Sequence, residues 1–237
     1  MGCSPSDRLA NIVALNTQDH RAVRVETAAS SRYGDGQRFV PVVVGEFSNL
    51  VAHYPIFFSK DAQTGSFYCG AMLGIDEGEN LFLTEGRSFD AYRPMNLQRG
   101  PFYTAGGDIA IDLDHPRVGE SGQALFEDDG RPSPYLSSVI NLFRDLKPGL
   151  DQTKVFVETL LAMKLIEPVD ISLAFDDGSK RQLEGLYTIN RDRLKKLADD
   201  KIVELFHRGY LQAIYLMIAS LKQVPVLAQK KNSRLAG

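Results

Sequence analysis

The stretch from Gly107 to Arg117 constrains the fold more than any other part of the chain. Its apolar residues stand at alternate positions: Ile109, Ile111 and Leu113. Such alternation is typical of a strand that buries one face and exposes the other. The pattern therefore predicts a strand over residues 108–114, with an aliphatic face toward the core.

The opposite face of this strand carries carboxylates near its end. Asp112 and Asp114 lie two positions apart, so their side chains share one face at a separation of about 7 Å. His115 follows directly, and Pro116 favours an extended backbone at that histidine. Two carboxylates and one imidazole can bind a divalent metal ion. The alternative, which the pattern favours, is an exposed strand face whose carboxylates are solvated or paired with Arg117.

The N-terminal half, residues 11–117, is predicted to be rich in antiparallel strands. Its clearest signal is a hairpin in which strands 56–58 and 67–73 flank a loop closed by Gly65. A further short strand is predicted over 81–83. Aromatic residues are frequent in and beside this hairpin, where they either line a groove for an extended peptide or, as we expect, pack in the core.

The C-terminal half, residues 135–222, follows an acidic loop at 118–134 and has helical periodicity. The spacing of apolar residues predicts helices over 134–146, 152–165, 191–198 and 200–221. A break is expected at Pro148. One hairpin, with strands 171–175 and 181–189 around Asp177-Gly178, interrupts the helices.

These patterns predict an α+β fold, in which an antiparallel β-rich N-terminal half packs against a helical C-terminal half that contains one β-hairpin. Residues 11–231 are expected to form a single domain. Residues 1–10 are expected to be a flexible N-terminus, and residues 223–237 a basic tail that frays into solvent.

Composition excludes some classes of function. The formal net charge of −3 argues against non-specific binding of nucleic acid. Two cysteines, Cys3 and Cys69, do not make a disulfide framework, so we expect reduced thiols in a cytoplasmic protein. The last helix is apolar nearly all round from Tyr210 to Leu221. That stretch is shorter than the roughly 20 residues that a bilayer core needs, so no transmembrane segment is predicted.

The sequence motifs do not decide whether the protein is an enzyme. No zinc-binding spacing, nucleophile elbow, phosphate loop or dinucleotide fingerprint is present, so no cofactor is expected unless the metal interpretation holds. His53 and Tyr54, which precede the first hairpin, are candidate pocket residues. Structural packing is the favoured alternative for both.

Several short blocks of the chain resemble the SapC family of bacterial proteins. They are residues 11–16, 52–56, 60–65, 77–83, 111–117, 185–190 and 209–213. The resemblance runs from about Asn11 to Lys231, with the blocks in the same order. It implies a largely uncharacterised function and a family named after a surface-layer-associated protein. It also implies gene neighbours that resemble halogenases or cupins, and it carries over no catalytic residue.

Three functions follow as hypotheses. The first is an accessory protein that binds a peptide, a small molecule or a partner protein and acts with other enzymes of its operon. Its ligand-binding residues would be His53, Tyr54, Asp112, Asp114, His115 and Arg117. The second is a metal-assisted enzyme, an oxygenase or hydrolase, with Asp112, Asp114 and His115 as metal ligands. The third, which the family name alone suggests, is a factor in surface-layer assembly or export.

The metal hypothesis makes a direct prediction. If Asp112, Asp114 and His115 hold a metal ion, protein purified without chelator should contain close to one equivalent, and Asp112→Asn should lower that content. Elemental analysis measures it. A metal content below about a tenth of an equivalent would count against the hypothesis.

Overall fold

The fold is α+β, as predicted. The computed structural model describes residues 11–84, 89 and 91–236, so the predicted flexible segment 1–10 lies outside the described residues. The strands, β1 to β11 in chain order, are Ile12–Ala14, Arg24–Val25, Phe39–Pro41, Ile56–Lys60, Phe67–Met72, Phe102–Ala105, Asp108–Asp112, Val118–Gly119, Gln123–Ala124, Ile166–Ala174 and Lys180–Ile189. The α-helices, α1 to α8, are Thr17–His20, Phe47–Leu50, Met95–Gln98, Pro134–Ala162, Arg191–Lys195, Asp199–His207, Tyr210–Ser220 and Gln223–Leu235.

The described strands form three antiparallel sheets. The largest has the order β10-β11-β4-β5-β3, and the two smaller ones have the orders β1-β7-β6 and β8-β2-β9. The predicted hairpin of β4 and β5 is confirmed, and Gly65 in its loop has a φ of +68°. The second predicted hairpin, β10 and β11, joins the same sheet because Tyr187 pairs with Phe58.

The long helix α4 serves two hydrophobic clusters. Its first half packs Leu136 and Val139 against the sheet that contains β6 and β7. Its second half contributes Phe156 to the larger cluster beside the five-stranded sheet. The Phe156 ring is fully buried and lies 6.3 Å from the Phe58 ring and 5.2 Å from the Tyr210 ring, measured between centroids.

The predicted break at Pro148 is wrong, because α4 continues through it and absorbs the helix predicted over 152–165. A proline inside a helix removes one backbone hydrogen bond, and packing can offset that loss. Here the Thr153 hydroxyl accepts a hydrogen bond from the Val44 backbone N–H at 2.8 Å and donates to the Gly149 carbonyl at 2.6 Å. These contacts hold the second half of the helix in line with the first.

The single helix predicted over 200–221 is also wrong. Gly209 has a φ of +72° and separates α6 from α7. A left-handed residue ends a helix whatever the apolar spacing on either side, and glycine adopts that conformation without strain.

The basic segment after Lys222 does not fray. It forms α8, in which Leu227 is buried. The Lys231 ammonium lies 2.8 Å from the Asp76 carboxylate and 2.6 Å from that of Glu79. These ion pairs join residues far apart in sequence, which is why composition alone suggested a solvated tail.

Smaller differences concern the loops. The strand predicted over 81–83 is wrong, because these residues form a turn with one isolated bridge between Leu83 and Phe89. The strand predicted over 108–114 ends at Asp112. Within the loop predicted over 118–134, β8 and β9 each pair with β2.

One helical stretch in the described part of the chain, Tyr210–Leu235, could cross a membrane by length and composition alone, with a mean hydropathy of 1.4 in its most apolar window. Core helices of soluble proteins pass the same test. In this fold Met217 is fully buried, and the Ser220 hydroxyl accepts a hydrogen bond from the Ile56 N–H at 2.9 Å. The expectation of no transmembrane segment stays a prediction.

Replacing Phe156 tests the role of the larger cluster. We expect Phe156→Ala to lower the free energy of unfolding by about 3–5 kcal/mol, because it removes a ring packed on several sides and leaves a cavity. Phe206→Ala is the matched control, since the Phe206 side chain is 67% exposed, and it should change stability by less than about 0.5 kcal/mol. Urea denaturation followed by circular dichroism measures both. Equal losses for the two variants would contradict the packing described here.

Candidate functional site

A buried carboxylate joins two arginines from distant parts of the chain. Asp35 is 1% exposed, and its Oδ1 lies 2.6 Å from Arg93 Nη2 while its Oδ2 lies 2.5 Å from Arg117 Nη2. Oδ2 also accepts a hydrogen bond from the Ser30 N–H at 3.0 Å. The Asp35 backbone carbonyl accepts another from the Asn80 amide at 2.8 Å. Asp35 is thereby fixed at both its backbone and its side chain.

Arg117 is the most deeply buried cation of this cluster, with 3% of its surface exposed. Its Nη1 donates to two backbone carbonyls, those of Glu26 at 2.8 Å and Ala28 at 3.0 Å. Its guanidinium carbon lies 4.9 Å from the centre of the Tyr33 ring. A guanidinium held by this many partners has one defined orientation.

The turn after β7 places Arg117. Asp112 Oδ1 accepts a hydrogen bond from the Asp114 N–H at 3.1 Å, and His115 Nδ1 accepts one from the Arg117 N–H at 3.1 Å. Burial, followed by the charge of Arg117, lowers the pKa of His115 below its usual value. The neutral imidazole is therefore favoured, and only that form can accept the Arg117 N–H at Nδ1.

Arg93 forms the other side of the cluster and is less completely partnered. Its Nη2 binds Asp35, but its Nε is buried and has no hydrogen-bond partner in the part of the chain described here. Burial lowers the pKa of this guanidinium, and the charge of Arg117 acts in the same direction, whereas Asp35 opposes both. An unpaired buried donor of this kind is uncommon in proteins.

A second buried carboxylate positions the segment that carries Arg93. Glu46 accepts hydrogen bonds from the Met95 N–H at 2.9 Å, the Val43 N–H at 3.0 Å and the Tyr92 hydroxyl at 3.2 Å. Burial raises the pKa of Glu46 despite these donors. The segment from Tyr92 to Met95 is thus held on either side of Arg93.

The two arginines open onto a cavity of about 300 Å³. It is lined by Glu26, Thr27, Arg93, Gln98, Gly100, Arg117 and Tyr135. Two guanidinium groups face one buried carboxylate, so the inner cluster carries a net charge of +1. Burial raises the pKa of Tyr135, although both arginines act to lower it, so its phenol is neutral at pH 7. Such a site can bind an anion.

The six residues predicted to bind a ligand have different surroundings in the structure. Of them, only Arg117 lines this cavity. Tyr54 is fully buried in the larger cluster, where its hydroxyl donates to the Tyr92 carbonyl at 2.7 Å. The His53 ring lies 5.9 Å from the Tyr54 ring. Asp112, Asp114 and His115 shape the turn that leads to Arg117.

No set of three His, Cys, Asp or Glu side chains in the described ranges is arranged to hold a metal ion. In the predicted metal triad, Asp112 Oδ1 and His115 Nδ1 already accept backbone hydrogen bonds. Coordination through His115 Nδ1 would require its hydrogen bond from the Arg117 N–H to break, because that nitrogen has one lone pair. The metal site therefore stays a prediction for the elemental analysis to decide.

The aromatic residues of the first hairpin mostly pack in the core. Tyr54, Phe57 and Phe58 are fully buried, which favours packing over a peptide groove for these three. A larger groove of about 900 Å³ does lie over the outer face of the sheet, and Phe39 and Tyr68 contribute to its lining. Their rings meet edge to face at 6.1 Å.

Sequence reasoning missed Asp35 and Arg93, the two residues that form the buried ion-pair cluster with Arg117. Asp35 stood in a glycine-rich loop, and Arg93 stood before a proline in what was interpreted as a connection. Charged residues in loops are normally solvated, so neither position signals burial. In sequence, Asp35 is 58 positions from Arg93 and 82 positions from Arg117. No local pattern extends over such distances.

The chain belongs to the SapC family, whose family model matches residues 15–227. No curated protein and no solved structure matches the chain. The family name itself indicates no activity or ligand. The chemistry of the cavity has to be argued from the residues themselves.

Stability should depend on the protonation of His115. A histidine whose pKa is lowered by folding contributes stability that is present above its unfolded pKa, near 6.5, and is lost as pH falls through the folded value. We expect the free energy of unfolding to fall between pH 7 and pH 5. His115→Asn, which keeps an acceptor but cannot titrate, should reduce that fall.

Urea denaturation at a series of pH values measures this dependence. His207→Asn, at an exposed position on α6, controls for the loss of a histidine as such and should leave the slope unchanged. An identical pH dependence in wild type and His115→Asn would show that the turn does not need the neutral imidazole.

Proposed function

We propose that this SapC-family protein is a binding protein and that the cavity beside Arg93 and Arg117 holds a small anionic molecule. The observation that carries the proposal is that Arg93 and Arg117 line one cavity, while the buried Nε of Arg93 has no hydrogen-bond partner among the described residues. An unsatisfied buried donor costs about 1–3 kcal/mol. A ligand oxygen would remove that cost if the Arg93 side chain turned its buried Nε toward the cavity.

The preorganisation of the arginines supports the same function. Arg117 is held by Asp35 and by the carbonyls of Glu26 and Ala28, so it needs no rearrangement to face a ligand. Ordering side chains on binding costs roughly 0.5–1.5 kcal/mol each, and a fixed side chain avoids that cost. The net charge of +1 in the inner cluster favours an anion over a neutral or cationic ligand.

The titratable groups of the lining favour binding over acid–base catalysis. Backbone hydrogen bonds lower the pKa of Glu26, and burial raises that of Tyr135. Efficient proton transfer requires a pKa near the working pH. Both groups are shifted away from neutrality, which suits a site that holds a ligand without transforming it.

The proposal extends to the cellular setting of the protein. An accessory role beside halogenase-like or cupin-like enzymes, with cytoplasmic localisation, is the setting we propose for a binding protein of this family. A metal-assisted enzyme and a factor in surface-layer assembly are the alternatives. Co-purification of the full chain from its bacterial host, followed by identification of bound small molecules and proteins, separates these settings.

Thermal stabilisation by a panel of small molecules tests the binding function. The panel contains carboxylates, phosphates, amines and neutral compounds of several sizes. Ligand at 100 times its dissociation constant stabilises a protein by about 2.7 kcal/mol, which corresponds to several degrees in Tm. We expect anionic members of the panel to raise the Tm of the wild-type protein. Arg93→Gln should weaken their binding by at least about tenfold, because it removes a charge and the Nε donor.

Arg131→Gln is the matched control. Arg131 pairs with Asp129 on the surface and lies outside the cavity, so its replacement should leave ligand binding unchanged. The Tm of each variant without ligand is measured first, which separates a loss of binding from a loss of folding. Stabilisation by no anion, or equal stabilisation of wild type and Arg93→Gln, would refute the proposed function.

A further inference from the structure

We infer that the ligand of this cavity carries a single carboxylate and that the site discriminates against phosphate dianions. The inference rests on the proposed function and names the class of ligand for that same site. It follows from the charges around the cavity, the donors that remain unused, and the geometry already adopted by Asp35.

Charge sets the preferred valence of the ligand. The buried cluster of Arg93, Arg117 and Asp35 has a net charge of +1, which one monoanion balances before the ionised Glu26 on the cavity wall is counted. A dianion would leave an excess negative charge beside the buried Asp35 carboxylate. Uncompensated charge in a partly desolvated site is costly, so the monoanion is favoured.

Glu26 adds to this discrimination from the cavity wall. Hydrogen bonds from the Ala28 and Thr27 N–H groups, with the charges of Arg117 and Arg32, lower its pKa. Glu26 is therefore ionised at neutral pH. Glu26 is half-buried, so solvent screens its carboxylate in part and a monoanion is tolerated. Repulsion from Glu26 doubles for a dianion.

The two arginines already use several of their donors within the protein, which favours a ligand that needs few. Arg117 Nη1 donates to the Glu26 and Ala28 carbonyls, and Nη2 of each arginine donates one N–H to Asp35. Among the described residues, the buried Nε of Arg93 has no hydrogen-bond partner. A carboxylate has two oxygens to satisfy, whereas a phosphate group has three strong acceptor oxygens.

Asp35 shows how a carboxylate meets these guanidinium groups. Each of its two oxygens binds a different arginine, at 2.6 Å to Arg93 and 2.5 Å to Arg117. Guanidinium groups and carboxylates are both planar and match in this way. A ligand carboxylate that bridges Arg93 and Arg117 would repeat the arrangement seen with Asp35.

The remaining wall indicates what the rest of the ligand contacts. The Tyr135 side chain offers a neutral aromatic surface, and Gly100 offers backbone without a side chain. An apolar body attached to the carboxylate fits this wall. Benzoate and hexanoate are therefore suitable probes, with phenyl phosphate, hexyl phosphate, benzamide and hexanamide as matched compounds.

Titration calorimetry at pH 8, where the alkyl and aryl phosphates are dianions and both carboxylates are ionised, compares the six probes on the full chain. The thermal panel gives a second ranking of carboxylates, phosphates and neutral compounds, by the increase in Tm that each produces. We expect carboxylates to bind at least about tenfold more tightly than matched phosphates or amides, a difference typical of one charge-assisted hydrogen bond.

Two variants separate the contribution of the Arg93 guanidinium from that of the Glu26 charge. Arg93→Gln should remove the preference for carboxylates over amides. Glu26→Gln keeps one side-chain acceptor and should narrow the preference for carboxylates over phosphates, because it removes the repelling charge. Arg131→Gln should alter neither preference.

The outcomes separate this inference from the proposed function. Preferential binding of carboxylates that depends on Arg93 supports both. Equal or tighter binding of phosphates overturns the carboxylate inference alone, whereas a panel in which only neutral compounds or amines bind overturns the proposed function as well. Binding by no compound in either experiment overturns the proposed function itself.

Discussion

The ion pairs of Asp35 with Arg93 and Arg117 are the interaction on which the cavity depends. They join a loop near residue 35, the segment before α3 and the turn after β7, three regions that no shared sheet connects. Burying charges is costly unless they are paired and hydrogen-bonded, and removing one partner of such a pair typically costs about 3–5 kcal/mol. Asp35 meets this requirement with two cations and the Ser30 N–H. The cluster therefore fixes the three segments that it joins and also the two arginines that line the cavity.

A second carboxylate and a long helix complete this framework. Glu46 holds the start of α3 through the Met95 N–H and, with it, the segment that carries Arg93. The turn that contains Glu46 also meets α4, because the Val44 N–H donates to Thr153. The helix carries this contact to both hydrophobic clusters. α4 thus connects the wall of the cavity, to which it contributes Tyr135, with both hydrophobic clusters.

How much the sequence could predict depended on how local each feature is. The hairpin of β4 and β5 was predicted because alternating residues and a turn glycine lie within a short stretch. The continuity of α4 was not, because it depends on the contact between Thr153 and Val44, 109 positions apart. For the site, the sequence supplied Arg117 and the residues that shape its turn. It could not supply Asp35 or Arg93, since both resemble ordinary loop residues until the fold brings them together.

The order of strands in the large sheet has a consequence for how the chain reaches its native state. β4 lies between β5, its neighbour in sequence, and β11, and the Ser59 hydroxyl donates to the Gly185 carbonyl across 126 positions. During synthesis, the edge of β4 that pairs with β11 stays unpaired until the second hairpin has emerged from the ribosome. Unpaired strand edges of nascent chains are sites of aggregation. The interval between the synthesis of the two hairpins is therefore the stage at which this chain is most exposed to aggregation.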